Sequence, residues 1–349
     1  MKHTSVERSL QRVSAALLTL LLFTASTLPL AAEELTRTDF VLGTVCTIRL
    51  LEGGTQATLQ EAFSRLQAIE QRMSANKDRT EIAAVNEQAG KKPVKVSDDT
   101  FSVISKALEY AKLSGGAFDP SVGPLVKLWN IGSGNEKVPA RSAITTALSL
   151  VDWRKVELDP QAKTVLLKQP GMRLDLGAIA KGYAADEVAL ILEKHKVKAA
   201  VVDLGGNVLV FGSKKDKSPW RVGVQDPESS RGEYLGIVTG TQMTVVTSGV
   251  YERYFMENGV RYHHILSTAT GFPVENGLLS VTIIARSSID ADALSTSLFA
   301  LGIEKGMELL RQFPGVYAIF IDEAHKVYLS PGAGKVFTLT NKKYTLSDK

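Results

Sequence analysis

The sequence predicts an α+β fold: mixed, largely antiparallel sheets packed with helices, in a single domain over residues 33–349. Three observations predict it. Short alternating runs at 199–203, 208–211, 220–224, 235–238 and 243–247 follow one another at hairpin spacing, without the regular strand–helix alternation of a parallel sheet. Helical runs at 58–73, 98–113 and 292–310 flank this block. Two polar motifs that read as halves of one site, at 175–182 and 290–296, lie more than a hundred residues apart, with no repeat or low-complexity linker between them.

In chain order, residues 40–51 alternate as one strand, which Glu52, Gly53 and Gly54 end. Leu59, Ala62, Phe63, Leu66, Ile69 and Met73 recur on one helical face. A helical turn at 81–85 and a short strand at 93–96 precede a helix capped by Ser97, Asp98 and Asp99 and stopped by Gly115-Gly116. Residues 117–125 read as a loop carrying an aromatic and a carboxylate, and 131–138 as an exposed loop. There follow a helix at 143–150, a hairpin of 156–158 with 164–167 around Asp159-Pro160, and a helix ending near His195. After the strand block, strands at 262–266 and 279–285, the helix at 292–310, and strands at 317–321 and 327–329 complete the fold.

The 349 residues are 44% hydrophobic and 22% charged, which permits an ordinary core. Of the formal charge of +4, Lys2, Arg8 and Arg12 against Glu7 place +2 in the first 32 residues, so the rest is close to balanced. No basic block interleaved with aromatics exists, which argues against nucleic-acid binding. The first 32 residues read as a secretory signal peptide, with an apolar stretch at 15–23 too short to span a bilayer and a cleavage point after Ala31-Ala32. Leu30, three positions before the cut, is not ideal there, so an uncleaved leader anchoring the chain at the inner membrane stays open. No cysteine follows the apolar stretch, which argues against a lipoprotein anchor. The single cysteine, Cys46, lies in an alternating apolar run and reads as a buried core thiol.

Asp175-Leu176-Gly177-Ala178-Ile179-Ala180-Lys181-Gly182 sets a carboxylate, two glycines and a lysine between an apolar run and a helical one. Glycine lets backbone approach a ligand, and a lysine beside free helix N–H groups can pair with a phosphate. The plainer alternative is a helix capped by Asp175 with a solvated lysine. Asp292 and Thr296 are four residues apart in a helical pattern and share a face. Their oxygens suit Mg2+, but two do not complete a site. Here the plainer alternative is that Ser288 or Asp290 caps the helix and Thr296 bonds a backbone carbonyl. In Tyr262-His263-His264-Ile265, strand alternation sends the histidines to opposite faces. One is then a candidate general base, with a satisfied structural histidine as the alternative. Thr247-Ser248-Gly249 and Leu204-Gly205-Gly206-Asn207 are glycine turns that either line a ligand or simply connect hairpins. The chain lacks a Walker lysine loop, a strand-adjacent G-x-G-x-x-G, G-x-S-x-G and H-E-x-x-H.

Together these residues resemble the FAD:protein FMN transferases, the ApbE-type flavin transferases. The resemblance covers nearly all of the chain after the leader. It is carried by Leu42-Gly43-Thr44, Met73-Ser74, Gly115-Gly116-Ala117-Phe118-Asp119-Pro120, the 175–182 motif, Thr247-Ser248-Gly249, His263-His264-Ile265 with Thr270-Gly271, and Asp290-Ala291-Asp292-Ala293-Leu294-Ser295-Thr296. It implies a T-fold-like core. It also implies that the substrate FAD is held by Leu42, Asn76, Ala117, Phe118, Asp119, Asp175, Lys181 and Leu266. Mg2+ would be held by the backbone oxygen of Ala178, the Asp292 carboxylate and the Thr296 hydroxyl. A carbonyl free for that duty cannot be locked in a regular helical bond, so the helix is expected to start irregularly at Gly177 and Ala178.

The reaction implied by the resemblance is Mg2+-dependent cleavage of the FAD pyrophosphate, with FMN joined through a phosphoester to a threonine of an acceptor flavoprotein and AMP released. Lys181 would complement phosphate charge, and His264 is the candidate for accepting the threonine proton. The implied acceptors are periplasmic flavoproteins, including subunits of sodium-pumping and related redox complexes, in keeping with export to the periplasm. Two departures matter. Asn76 stands where the family commonly has a tyrosine packed on flavin, which predicts FAD hydrolysis to FMN and AMP besides transfer. Ser267-Thr268 replaces the usual Asp-Pro. An FAD pyrophosphatase for flavin supply and a non-catalytic exported FAD-binding protein are the competing readings.

Overall fold

The computed structural model describes residues 34–347; the leader expected at 1–32 lies outside them. The strands are β1 (Leu35–Val41), β2 (Thr44–Glu52), β3 (Val94–Lys95), β4 (Val156–Asp159), β5 (Thr164–Leu167), β6 (Ala199–Leu204), β7 (Asn207–Gly212), β8 (Trp220–Gln225), β9 (Tyr234–Gly240), β10 (Met243–Gly249), β11 (Tyr254–Glu257), β12 (Val260–His263), β13 (Leu278–Ala285), β14 (Tyr317–Asp322), β15 (Lys326–Leu329), β16 (Phe337–Leu339) and β17 (Thr345–Leu346). The helices are α1 (Gln56–Met73), α2 (Glu81–Glu87), α3 (Asp98–Leu113), α4 (Gly123–Trp129), α5 (Arg141–Leu148), α6 (Ala180–Lys194) and α7 (Ser288–Leu310).

The main sheet runs β1-β2-β6-β7-β10-β13-β14-β15-β17 and is antiparallel except where β15 meets β17. The other strands form three small antiparallel sheets. This is the single-domain α+β architecture expected from the hairpin spacing. Every residue of β13 is buried, so the centre of the main sheet is covered on both faces. Helix α7 packs on β10 and β13, α6 lies against α7, and α1 lies against α6. The apolar stripe of α1 is the buried one, and Thr55 and Thr58 close a reciprocal cap at its start. Ser97 caps α3, with Asp98 and Asp99 in the first turn, where the helix dipole favours negative charge.

Three elements depart from the sequence expectation, each for a local reason. Residues 40–51 are not one strand. The chain reverses at Leu42 and Gly43, with φ of 57° and 69°, and β1 pairs back on β2. The apolar alternation runs on through this turn, and leucine carries no turn signal. The strand expected at 262–266 ends at His263 and belongs to a hairpin with β11, turned at Asn258-Gly259. Residues 123–125, read as part of a loop, open α4 (Gly123–Trp129). A proline within the first helical positions costs no hydrogen bond there, so Gly123-Pro124 opens a helix instead of breaking one.

Candidate functional site

The entry into α6 is irregular. Asp175 Oδ1 accepts the Gly177 N–H at 2.8 Å, which closes a local turn and does not cap the helix. Ile179 is the N-cap, with φ −149°, ψ −25° and no side-chain cap. In a regular helix the Gly182 N–H would bond the Ala178 carbonyl. It donates instead to Asp292 Oδ2 at 2.8 Å. The ladder begins with Tyr183 N–H to the Ile179 carbonyl at 3.1 Å. Among the described residues no backbone N–H donates to the Ala178 carbonyl, so that oxygen is free to face another partner.

Gly182 permits this contact. A Cβ at that position would lie 2.3 Å from the Ser288 carbonyl oxygen, 2.6 Å from Ile289 Cα and 2.7 Å from Asp292 Cβ. Across the same interface, Asp186 on α6 accepts the Ser288 and Ile289 N–H groups at 2.8 and 2.9 Å. Burial pushes its carboxyl up to about 6. Ser287 caps α7 by accepting the Asp290 N–H. Asp290, a candidate cap in the sequence, instead accepts the Tyr110 hydroxyl at 2.8 Å and pairs with Lys106.

Asp292 is 3% exposed. Its Oδ1 lies 3.7 Å from Lys181 Nζ, and that ammonium donates to the Gly177 carbonyl at 3.2 Å. One turn further along α7, Thr296 Oγ1 is 3.3 Å from Ser248 Oγ, which also pairs with Ser295 Oγ at 2.8 Å. It is Ser295 that bonds the helix backbone, at the Asp292 carbonyl. The Thr247-Ser248-Gly249 motif thus lies in β10 alongside α7. One carboxylate, one hydroxyl and one free carbonyl form a hard-oxygen set of the kind Mg2+ accepts, and phosphate and water oxygens would complete it. Among the described residues no group of three His, Cys, Asp or Glu competes as a metal site. The residues present fit the ion.

The two histidines, at and just beyond the end of β12, make different contacts. His263 is buried; its Nε2 donates to the Val274 carbonyl at 3.0 Å, and its Nδ1 accepts the Ile265 N–H at 3.3 Å. Both nitrogens are satisfied, and the ring is structural. His264 Nδ1 lies 3.2 Å from the Arg253 carbonyl. A carbonyl only accepts, so Nδ1 carries the proton and Nε2 keeps the lone pair. Desolvation by the surrounding protein, helped by the Arg253 charge, lowers the His264 pKa from 6.5 to about 3. The unfolded chain therefore takes up this proton first. The stabilising contribution is complete above pH 6.5 and drains as pH falls toward 3. Replacing His264 with glutamine is expected to make the acid limb of Tm against pH shallower in that window. A constant Tm offset from the wild type between pH 4 and 7 would contradict it.

Arg253 has no motif around it and was not singled out in the sequence. It donates to the Gly43 carbonyl at 3.0 Å and so ties the β11–β12 hairpin to the Leu42-Gly43 turn. Burial raises the Asp175 pKa, and the Gly177 N–H and the charges of Arg253, Arg173 and Lys181 oppose that rise. Lys181 thus links Asp292 to the Gly177 turn, and Arg253 links His264 and the Leu42-Gly43 turn to the charge around Asp175.

The remaining candidates play more local parts. Asp119 Oδ1 accepts both the N–H and the hydroxyl of Ser121 at 2.7 Å, and its Oδ2 accepts the Trp153 N–H at 3.0 Å. Its carboxylate therefore shapes the loop. Phe118 is buried edge-on against Tyr110, and Ala117 is half-buried. Leu266 packs with Leu125, Trp129 and Ile144. Asn76 is exposed, and no side-chain hydrogen bond or ion pair among the described residues joins it to Lys181, Asp292 or Arg253. After Leu266, Ser267 Oγ accepts the N–H groups of Ala269 and Thr270, the turn-forming duty of an aspartate. Thr268 donates to the Gly116 carbonyl at 2.7 Å and joins this loop to the Gly115-Gly116 turn.

A family model described as the ApbE family matches residues 42–320. A protein of Treponema pallidum (strain Nichols) named FAD:protein FMN transferase is 43% identical over 317 residues, which cover 86% of this chain and 88% of that one. A protein of the same name from Klebsiella pneumoniae (strain 342) is 38% identical over 293 residues, covering 84% and 91%. Among solved structures, the ApbE protein of Thermotoga maritima superposes with a TM-score of 0.77 at 34% identity, over 84% of this chain and 96% of that chain. The flavin transferase ApbE of Vibrio cholerae does so with a TM-score of 0.77 at 27% identity, over 87% and 99%. A matched segment that holds Leu42, the α6 entry, His264 and the Asp292 turn of α7, together with relatives similar over most of their length, places this chain in the ApbE family.

Proposed function

We propose that the protein is a Mg2+-dependent flavin transferase. It cleaves the FAD pyrophosphate, joins FMN through a phosphoester to a threonine of an acceptor flavoprotein, and releases AMP. The observation that carries this reading is the diverted Gly182 N–H, which frees the Ala178 carbonyl beside Asp292. A cation on Ala178 O, Asp292 Oδ1 and Thr296 Oγ1 would neutralise charge on the diphosphate as AMP leaves. The chain's own groups do the rest. Lys181, in the first turn of α6, carries its ammonium to the phosphates. His264 Nε2, left with its lone pair because Nδ1 is held by the Arg253 carbonyl, accepts the proton of the attacking hydroxyl. The Asp119 carboxylate is engaged within its loop, so the 117–119 segment contributes to FAD through backbone and apolar contact.

The acceptors in this reading are periplasmic flavoproteins such as redox-pump subunits, met after export. No helix among the described residues is long and apolar enough to cross a membrane; an uncleaved leader is the route to inner-membrane association in this reading. Incubation with FAD and Mg2+, with and without acceptor, followed by mass spectrometry of AMP, FMN and the acceptor, tests the proposal. Acceptor-dependent gain of an FMN mass with equal AMP supports it; FAD retained intact with no AMP overturns it.

A second activity, FAD hydrolysis without acceptor, rests on exposed Asn76, where the family commonly carries tyrosine. An aromatic contact on the flavin is worth about 0.5–1.5 kcal/mol, or up to about tenfold in binding. Asn76→Tyr is therefore expected to tighten FAD up to about tenfold and slow acceptor-free AMP release. Unchanged release would remove Asn76 from the account.

A further inference from the structure

We propose that Lys181 is an internal counter-ion of Asp292 that holds the cation site until a diphosphate draws it away, so that metal and FAD bind cooperatively. The inference rests on the cation site proposed above. Asp292 is 3% exposed, and a carboxylate so placed needs a partner for its charge. Its Oδ2 is satisfied by the Gly182 N–H. Its Oδ1 has Lys181 at 3.7 Å, the one ion pair Asp292 makes among the described residues.

The same ammonium donates to the carbonyl of Gly177, the residue next to Ala178. Lys181 therefore lies between the carboxylate oxygen and the backbone turn that would take the divalent cation. An ammonium and a divalent cation repel each other across so short a gap; the carboxylates of Asp175 and Glu252 feel the Lys181 charge, but among the described residues neither forms an ion pair with it. An incoming diphosphate changes that balance by adding negative charge at the start of α6, where the helix dipole favours it. Lysine's flexible stem lets the ammonium follow that charge, which leaves Oδ1 to the metal. Coupling of this kind is reciprocal: bound metal favours the diphosphate as much as the diphosphate favours the metal. Arg253 and Arg173 also lie near this turn, but neither pairs with Asp292.

The test is a pair of binding measurements that need no turnover. Mn2+ is titrated into nucleotide-free protein and followed by electron paramagnetic resonance. FAD is titrated in EDTA and followed by flavin fluorescence. Lys181→Met is expected to bind Mn2+ about tenfold tighter than wild type and FAD about tenfold weaker. Mn2+ should also raise the Tm of Lys181→Met by more than it raises that of the wild type. Lys181→Arg, which keeps the charge, should bind Mn2+ as weakly as wild type. Mn2+ affinity in Lys181→Met equal to or below wild type overturns the counter-ion role. Asp292→Asn separates this from a deeper failure: if it binds Mn2+ as well as Lys181→Met does, the cation site itself is wrong.

Discussion

Replacing Asp292 with asparagine is expected to lower AMP release from FAD by about a thousandfold or more while leaving the fold intact. Asparagine keeps the shape of the side chain and one oxygen for the Gly182 N–H, which Asp292 Oδ2 now accepts at 2.8 Å. What it removes is the only charged donor of the proposed cation site. It also turns an amide toward Lys181, where a carboxylate oxygen now stands 3.7 Å away. A metal on transferring phosphates supplies several kcal/mol, and about 4 kcal/mol is a thousandfold in rate. AMP release measured beside circular dichroism checks this. A folded variant retaining activity within tenfold of wild type would remove Asp292 from the metal.

Gly182→Ala is expected to damage both stability and activity. The added methyl would meet the Ser288 carbonyl oxygen, Ile289 Cα and Asp292 Cβ at 2.3–2.7 Å. These atoms belong to the α7 backbone or stand next to it, so no side chain can swing aside. Overpacking of this kind costs about 1–3 kcal/mol, occasionally more, which appears as a Tm lower by several degrees. To relieve it, α6 and α7 must separate. The Gly182 N–H then returns to the Ala178 carbonyl, and the site loses an oxygen. A displacement of about 1 Å in a reacting site can cost a hundredfold in rate. Calorimetry with AMP release reads both effects; a variant with wild-type Tm would show that the helices do not meet as closely as described.

These two residues also show how far the sequence could be read. Helical periodicity alone put Asp292 and Thr296 on one face of α7, and hairpin spacing alone gave the antiparallel sheets. The meaning of Gly182 was out of reach, because its partner is 110 residues away and nothing local marks a glycine as a helix–helix contact. Arg253 was missed for the same reason: its bond to the Gly43 carbonyl crosses 210 residues. The Leu42-Gly43 turn hid inside an unbroken alternation, and α4 hid behind a Gly-Pro that reads as a breaker. The duty of the Ala178 carbonyl came only from resemblance, since a backbone oxygen leaves no trace in residue type. Asp119 stood out in its motif, yet its carboxylate is engaged by Ser121 and Trp153.

The most direct measurement is anomalous diffraction from crystals of the protein soaked with Mn2+ and ADP, a diphosphate lacking the flavin. One peak is expected on α6 and α7, about 2.0–2.5 Å from the Ala178 carbonyl oxygen, an Asp292 carboxylate oxygen and Thr296 Oγ1, with a nucleotide phosphate completing the shell. A peak on other residues, or bound nucleotide with Ala178 and Asp292 holding no metal, would contradict the account.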